Sequence, residues 1–258
     1  MAAQFFSSLA DNALLVAAIA MLMQAQAPTW LTPYLKFFFV ISYVVLAPYV
    51  GAFADRLPKG HVMFIANTVK IAGCVLMLSG ADPLLAYAIV GLGAAAYSPA
   101  KYGILTEYLP HRKLVVANGW IEGLTVASII LGTVLGGVLV HARVSGMLLG
   151  WELPYITTAA QAAIVIIVLV YAIAALFNLQ IPRTGVSLKP LPKHPIATLK
   201  DFSHCVAHLW KDRLGQVSLA VTTLFWGAGA TLQFIVIEWA RAALAFDLSK
   251  AAILQGVT

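Results

Sequence analysis

The sequence predicts an all-α membrane protein, and three observations carry that prediction. Of the 258 residues, 61% are hydrophobic and only 10% are charged, where a soluble domain carries roughly a quarter charged residues. Mean hydropathy is +0.90, more apolar surface than a water-soluble protein of this size can dispose of. Apolar runs of about 20 residues recur along the whole chain, each able to cross a hydrocarbon core of about 30 Å. Spans of a β-barrel are shorter and alternate strictly, and nothing here alternates that way.

Taken in order, the runs predict helices over residues 5–24, 37–54, 61–80, 84–106, 116–140, 156–181 and 215–239. The first contains Asp11 and Asn12 and lacks a basic leader and a cleavage site, so it reads as a retained span rather than a signal peptide. The connections are punctuated by Pro, Gly and charge, as at Pro28 to Pro33, Asp55 to Gly60, Asp82-Pro83 and Pro110 to Lys113. The longest polar stretch, Pro182 to Arg213, holds Pro190, Pro192 and Pro195 among basic residues, and its middle, Ala197 to Leu209, suits a helix lying on a membrane surface. This gives a first bundle at 1–181, a cytoplasmic linker at 182–214 and the start of a second bundle at 215–258. An odd span count, and an apolar run opening at Ala251 to Thr258, lead us to expect a truncated, N-terminal piece of a longer protein.

Charge assigns sides. With the N-terminus inside, the inner connections hold Arg56, Lys59, Arg112, Lys113, Arg183, Lys189, Lys193, Lys200, Lys211 and Arg213. The outer side holds Lys36, Arg143, Arg241 and Lys250. Ten basic residues against four place the N-terminus in the cytoplasm. The net charge of +6 is therefore an orientation signal, not a nucleic-acid footprint, because no aromatic-interleaved basic patch accompanies it. Cys74 and Cys205 lack metal-type spacing and read as unpaired thiols. The histidines at 61, 111, 141, 194, 204 and 208 lie mainly in connections, and no nucleophile and base converge. Neither an enzyme nor a metal or cofactor site is expected.

Ionisable residues at membrane depth mark function unless they are interfacial. Asp11 in the first span, Lys101 in the fourth and Glu122 in the fifth fall at one level, roughly 8–10 Å below the cytoplasmic boundary at 1.5 Å per residue. Lys101 is expected to pair with Asp11 or Glu122, one cation serving two anions, either as a static clamp or as a polar ligand site or gate. Lys70 lies deeper and is read as structural, snorkelling or meeting a carboxylate. Glu238 and Arg241 are read as interfacial. In the fourth span, Pro99 removes a donor to the Ala95 carbonyl and predicts a kink. Tyr97, Ser98, Lys101 and Tyr102 cluster there, as polar groups do at broken helices of transporters. Gly132, Gly136 and Gly137 predict a helix-packing face.

Two sets of residues resemble known families. The run Gly51-Ala-Phe-Ala-Asp55-Arg56-Leu-Pro-Lys59-Gly60 resembles the loop signature that follows the second span in the major facilitator superfamily, where such contacts latch two bundles on the cytoplasmic side. Gly51 is expected to allow close helix approach, and Asp55 to face a helix N-terminus or a basic residue. More specifically, Gln4 to Leu15, Gly93 to Leu105, Lys113 to Gly119 and Phe225 to Gly229 resemble strings of the bacterial lysophospholipid transporter family.

That resemblance implies a major facilitator fold of which this chain supplies the N-terminal six-helix bundle plus about one helix of the second. It implies movement of lysophosphatidylethanolamine-type lipids from the outer to the inner leaflet of the bacterial inner membrane. It also implies functional coupling to a cytoplasmic acyl-ACP synthetase/acyltransferase that restores the missing chain. Helices one, four and seven would line the path, placing Asp11, Lys101 and Gln233 around it; Asn12, Tyr97, Ser98, Tyr102, Asn118 and Glu122 are expected on the substrate path with them. Lys101 would attract the phosphate, and Asp11 and Glu122 the ammonium. Members of the family carry a basic residue at the position of Gln233, so this chain departs from the pattern there. Three alternatives stay open: a proton-coupled exporter of amphipathic compounds, with Asp11 or Glu122 as proton carrier, a membrane-bound acyltransferase or similar enzyme, and a non-transporting scaffold.

Overall fold

A computed structural model describes residues 1–151, 155–183, 185–188 and 195–257. Among these residues the chain forms α-helices and no strand. Seven helices are long and apolar enough to cross a membrane: α1 (Ala2–Gln24), α2 (Leu31–Arg56), α3 (Lys59–Leu78), α4 (Pro83–Tyr108), α5 (His111–Val140), α7 (Ala159–Leu179) and α9 (Arg213–Leu244). Three shorter helices complete the set: α6 (Ala142–Leu149), α8 (Pro195–Lys211) and α10 (Leu248–Val257). The protein is a multi-pass membrane protein. Within the linker, Lys189, Lys193 and His194 lie outside the described residues.

Local chemistry fixes the ends. Asp82 caps α4, its carboxylate accepting from the backbone N–H of Leu84 at 2.8 Å and Leu85 at 3.1 Å, with Pro83 at the first helical position. Thr158 and Gln161 form a reciprocal capping box on α7. Asp212 accepts from Gly215 N–H at 2.9 Å and opens α9.

Five of the seven starts fall within about three residues of the sequence expectation, and two differ by more. The second span begins at Leu31, not 37, because Pro33 falls in the first helical turn, where its missing N–H has no intrahelical partner to lose. This change moves Lys36 from an outer connection into α2. The fifth span begins at His111 directly after Pro110, carrying Arg112 and Lys113 in its first turn. Of the connection expected at Val144 to Pro154, the described part is largely the short helix α6, and residues 152–154 lie outside the described residues.

With lipid as solvent, helices gain little by hiding apolar side chains, so close backbone approach decides which helices meet. Helix α1 is the centre, packed on α5 and α7; α3 packs on α4 and α7, and α2 on α4. Ala10, Ala13, Ala17 and Ala18 of α1 are fully buried. Gly132 and Gly136 of α5 lie against α1: a Cβ at Gly136 would stand 2.8 Å from the Ala13 carbonyl oxygen and 2.8 Å from Val16 Cβ. Gly137 turns instead toward Ser249 and Ala252 of α10. The predicted glycine face therefore serves two partners. Helix α9 packs chiefly on α8 and α10 and faces the six-span bundle across cavities. Helix α4 continues unbroken through Pro99.

This packing yields a contrast. Gly136→Leu should lower stability in detergent by about 1–3 kcal/mol through overpacking. Gly123→Ala, where nothing lies within 4 Å of an added Cβ, should leave it unchanged or slightly raised. Thermal unfolding followed by monodispersity checks both; equal melting temperatures would rule out tight α1–α5 packing.

Candidate functional site

The electrostatic centre of the bundle is an ion pair between Asp11 and Lys70. Lys70 Nζ stands 2.8 Å from both carboxylate oxygens and donates at 3.0 Å to Ser7 Oγ. Ser7 in turn donates to Asn67 Oδ1 at 2.7 Å, and the Tyr171 hydroxyl donates to Asp11 Oδ1 at 2.7 Å. The Lys70 side chain is 1% exposed and that of Asp11 19%. The Tyr97 and Tyr171 rings flank the ammonium at 5.2 and 5.5 Å. This network ties α1, α3 and α7 together.

The expected pairing of Lys101 with Asp11 or Glu122 is therefore corrected. Helix depth and side-chain direction explain the result. At 1.5 Å rise per residue, Asp11 lies about 13 Å into α1, Lys70 about 16 Å into α3 and Tyr171 about 12 Å before the end of α7. Helical side chains lean toward the N-terminus, which carries the Lys70 ammonium back to the Asp11 level. Asp11 thus has its cation, and the level holds more than one. Glu122 instead accepts from the Tyr102 hydroxyl at 2.6 Å. Lys101 has no carboxylate within ion-pair distance among the described residues; it rests 4.3 Å from the centre of the Tyr102 ring.

Around this centre opens a cavity of about 490 Å³, lined by α1, α2, α3, α4, α5 and, from α9, Trp226. Asp11, Tyr97, Ser98, Lys101 and Tyr102 of the expected path all line it, and so do Lys36, Tyr43 and Lys70. A second cavity of about 590 Å³ lies between α5 and α9; Asn12 and Gln233 are in its wall with Phe225, Trp226, Leu232 and Val236. Gln233 is 7% exposed, and its amide nitrogen has no hydrogen-bond partner. Asn12 also donates to the Ser8 carbonyl at 2.9 Å. Asn118 is exposed on α5 and lines neither cavity.

The loop signature builds a separate polar knot. Lys59, only 8% exposed, donates to the Ala54 carbonyl and to Asp55 Oδ1, both at 2.8 Å, and stands 3.5 Å from Glu107 of α4. Asp55, Lys59 and Glu107 line a cleft of about 150 Å³ with Val186, Ser187 and Leu188. Arg56 is exposed, and nothing described lies within 4 Å of a Cβ at Gly51. Among the described residues no close approach is made at Gly51; Asp55 meets the basic residue Lys59. Arg241 and Glu238 are 3.5 Å apart on the surface of α9. Among the described residues, no cluster of three or more His, Cys, Asp or Glu side chains is arranged to hold a metal ion.

Sequence reasoning missed Lys36, Tyr171, Glu107 and Trp226, and took Lys70 as deep but secondary. The signal for Lys36 was present: it stands directly before Phe37-Phe38-Phe39, an apolar run no connection needs. Tyr171 carried no local signal, since its importance comes from Asp11, far away in sequence.

Comparison with known proteins sets this geometry in context. The Major Facilitator Superfamily profile matches residues 1–258. The chain is 45% identical over 242 residues to the lysophospholipid transporter LplT of Yersinia pestis (strain Pestoides F), covering 94% of this chain and 56% of that protein. The same values hold for LplT of Yersinia pseudotuberculosis serotype O:3 (strain YPIII). The chain spans about half the length of the curated relatives it matches. Among solved structures it resembles a bacterial homolog of the human lysosomal transporter Spinster, with a TM-score of 0.62 and 17% identity over 97% of this chain and 56% of that one. That likeness concerns the fold alone.

The ion pair makes its own prediction. Asp11→Leu or Lys70→Met alone leaves a buried charge without a partner and should cost about 3–5 kcal/mol. The double substitution should recover much of that loss. Unfolding of the four proteins in detergent measures the coupling; simply additive losses would show that the pair does not hold the helices.

Proposed function

We propose, from the premise that the chain belongs to the major facilitator superfamily, that it forms the substrate-binding part of a lysophospholipid transporter. The transporter moves lysophosphatidylethanolamine-type lipids from the outer to the inner leaflet of the bacterial inner membrane. The N-terminus is cytoplasmic: ten basic residues lie in or beside the inner connections, against Lys36, Arg143, Arg241 and Lys250 on the outer side. In this reading residues 1–181 form the first bundle, 182–214 a cytoplasmic linker whose α8 rests on the membrane surface, and 215–258 the opening of the second bundle. A cytoplasmic acyl-ACP synthetase/acyltransferase consumes the delivered lipid.

The observation that carries this reading is Lys101. It faces a cavity between membrane helices with no carboxylate partner and an aromatic face beneath it. A desolvated cation without an internal anion is costly, and a phosphate entering the cavity offsets that cost. Asp11, by contrast, is occupied by Lys70 and Tyr171. Its role is to neutralise Lys70 and to fix the cavity wall; Glu122, through Tyr102, sits beside Lys101 and is the carboxylate nearer to a bound ammonium. The acyl chain stays against apolar walls or lipid while the headgroup follows the polar lining. Sheltering the headgroup lowers a crossing barrier otherwise raised by several kcal/mol for each unpartnered polar group.

The names of the relatives and the engagement of Asp11 favour this reading over proton-coupled export. Asp55, Arg56 and Lys59, after Gly51, act as a conformational latch, with Lys59 and Glu107 tying α3 to α4 at the cytoplasmic end.

The test uses full-length protein reconstituted in liposomes with a lysophosphatidylethanolamine translocation assay. Lys101→Ala should slow translocation roughly tenfold, the loss of one charge-assisted contact. Its melting temperature should stay near that of the wild type, because no ion pair is broken. Translocation at the wild-type rate would remove Lys101 from the mechanism.

A further inference from the structure

The two cavities share two residues, Lys36 and Trp226. They differ sharply in character. The first holds Asp11, Lys70, Lys101, three tyrosines and several hydroxyl groups. In the second, Lys36 is the one ionisable side chain among the described lining residues. The rest of that wall is mainly apolar and aromatic, with Phe225, Leu232 and Val236 on α9 and Val126 and Ile129 on α5. Lys36 stands where the polar chamber opens into the apolar one.

Lys36 lacks an internal partner. No carboxylate lies within ion-pair distance of it among the described residues, and its recorded contact is the Phe39 ring, 5.8 Å from Nζ. Across the second cavity, the Gln233 amide nitrogen is buried with no acceptor. A cation with no carboxylate partner among the described residues and an amide with an unpaired N–H donor thus line one cavity. Both are donors, so neither satisfies the other; an anion with several acceptor oxygens satisfies both. Lys36 is also distinct from Lys101 in depth. It lies about 8 Å from the start of α2, whereas Lys101 lies about 10 Å from the end of α4. On alternating spans these positions approach the chamber from opposite sides of the membrane.

We infer that Lys36, assisted by Gln233, is a phosphate-binding station at the junction of the two cavities, with the single acyl chain of the substrate lying in the second. A single-chain phospholipid has this order of parts: an apolar tail, a phosphate at the boundary, and a polar headgroup beyond it. The inference rests on the lysophospholipid reading and assigns the tail and phosphate within it. Lys36 recognises the phosphate, not the headgroup alcohol, so a single-chain lipid without phosphate gains nothing from it.

The experiment measures equilibrium binding of lysophosphatidylethanolamine, and of a monoacylglycerol with the same chain, to the purified full-length protein in detergent. Lys36→Gln should weaken lysophosphatidylethanolamine binding roughly tenfold or more, the loss of a charge-assisted hydrogen bond. Monoacylglycerol binding should be unchanged, and Lys36→Arg should keep phospholipid affinity. Gln233→Glu, which replaces the amide donor with a carboxylate that repels phosphate, should weaken phospholipid binding to a similar extent and provides an independent variant should Lys36→Gln fold poorly. If wild type binds the phospholipid and either Lys36→Gln or Gln233→Glu binds it equally well, the station is overturned while the transport reading stands. Equal losses for both lipids would also overturn it, since the effect would not concern phosphate. If wild type binds neither lipid, the lysophospholipid reading and the inference fall together.

Discussion

An ammonium buried among membrane helices must have an anion, and the rest of this bundle is arranged around meeting that demand for Lys70. The side chain is 1% exposed, held between two carboxylate oxygens of Asp11 and the hydroxyl of Ser7. Neither charge is tolerable alone in lipid surroundings. The pair therefore requires that α1 and α3 stand at one separation and one register. Tyr171 adds α7 to the same requirement through its bond to Asp11. Close α1–α5 contact at Gly132 and Gly136 supplies the complementary constraint, because small residues let the charged helix sit at the centre of the bundle.

The same physics separates structural charges from available ones. Lys70 and Lys59 are buried and fully engaged, the first by Asp11 and Ser7, the second by Asp55, Glu107 and the Ala54 carbonyl. Lys36 and Lys101 line the cavity, have no carboxylate within ion-pair distance among the described residues, and stand over aromatic rings. A cation kept in such a place without a partner has an electrostatic demand that only an incoming group can meet. Aromatic faces soften that demand without abolishing it, as cation–π contacts are weaker than ion pairs. The cavity is thus biased toward anions although its best-ordered charge pair is neutral overall.

Much of this was legible in the chain itself. The seven spans follow from hydropathy alone, since lipid allows no other disposal of twenty-residue apolar runs. Asp82-Pro83 and Thr158 with Gln161 announce helix starts through their capping chemistry. The cluster Tyr97, Ser98, Lys101 and Tyr102 reads as a cavity wall because one helical stretch brings those side chains close together. Asp11 reads as functional because a carboxylate at membrane depth demands explanation. The start of α2 was misplaced for a local reason: Pro28 to Pro33 reads as a connection, whereas Pro33 sits in the first helical turn, and Lys36 was lost with it.

What the sequence by itself determined is the class of solvent, the number and order of spans, and which charges lie at membrane depth. Those properties depend on composition and on the fixed rise of a helix, and both are local. What only the tertiary structure decided is the partner of each charge. Judged by depth, Lys101 and Glu122 stood at the level of Asp11 and Lys70 lay deeper, and side-chain direction and rotation about each helix axis overturn that order. That rotation is set by which faces carry the small residues and by how neighbouring helices pack. Lys70 took the carboxylate because α3 presents it to α1, and Lys36 and Lys101 were left facing open space.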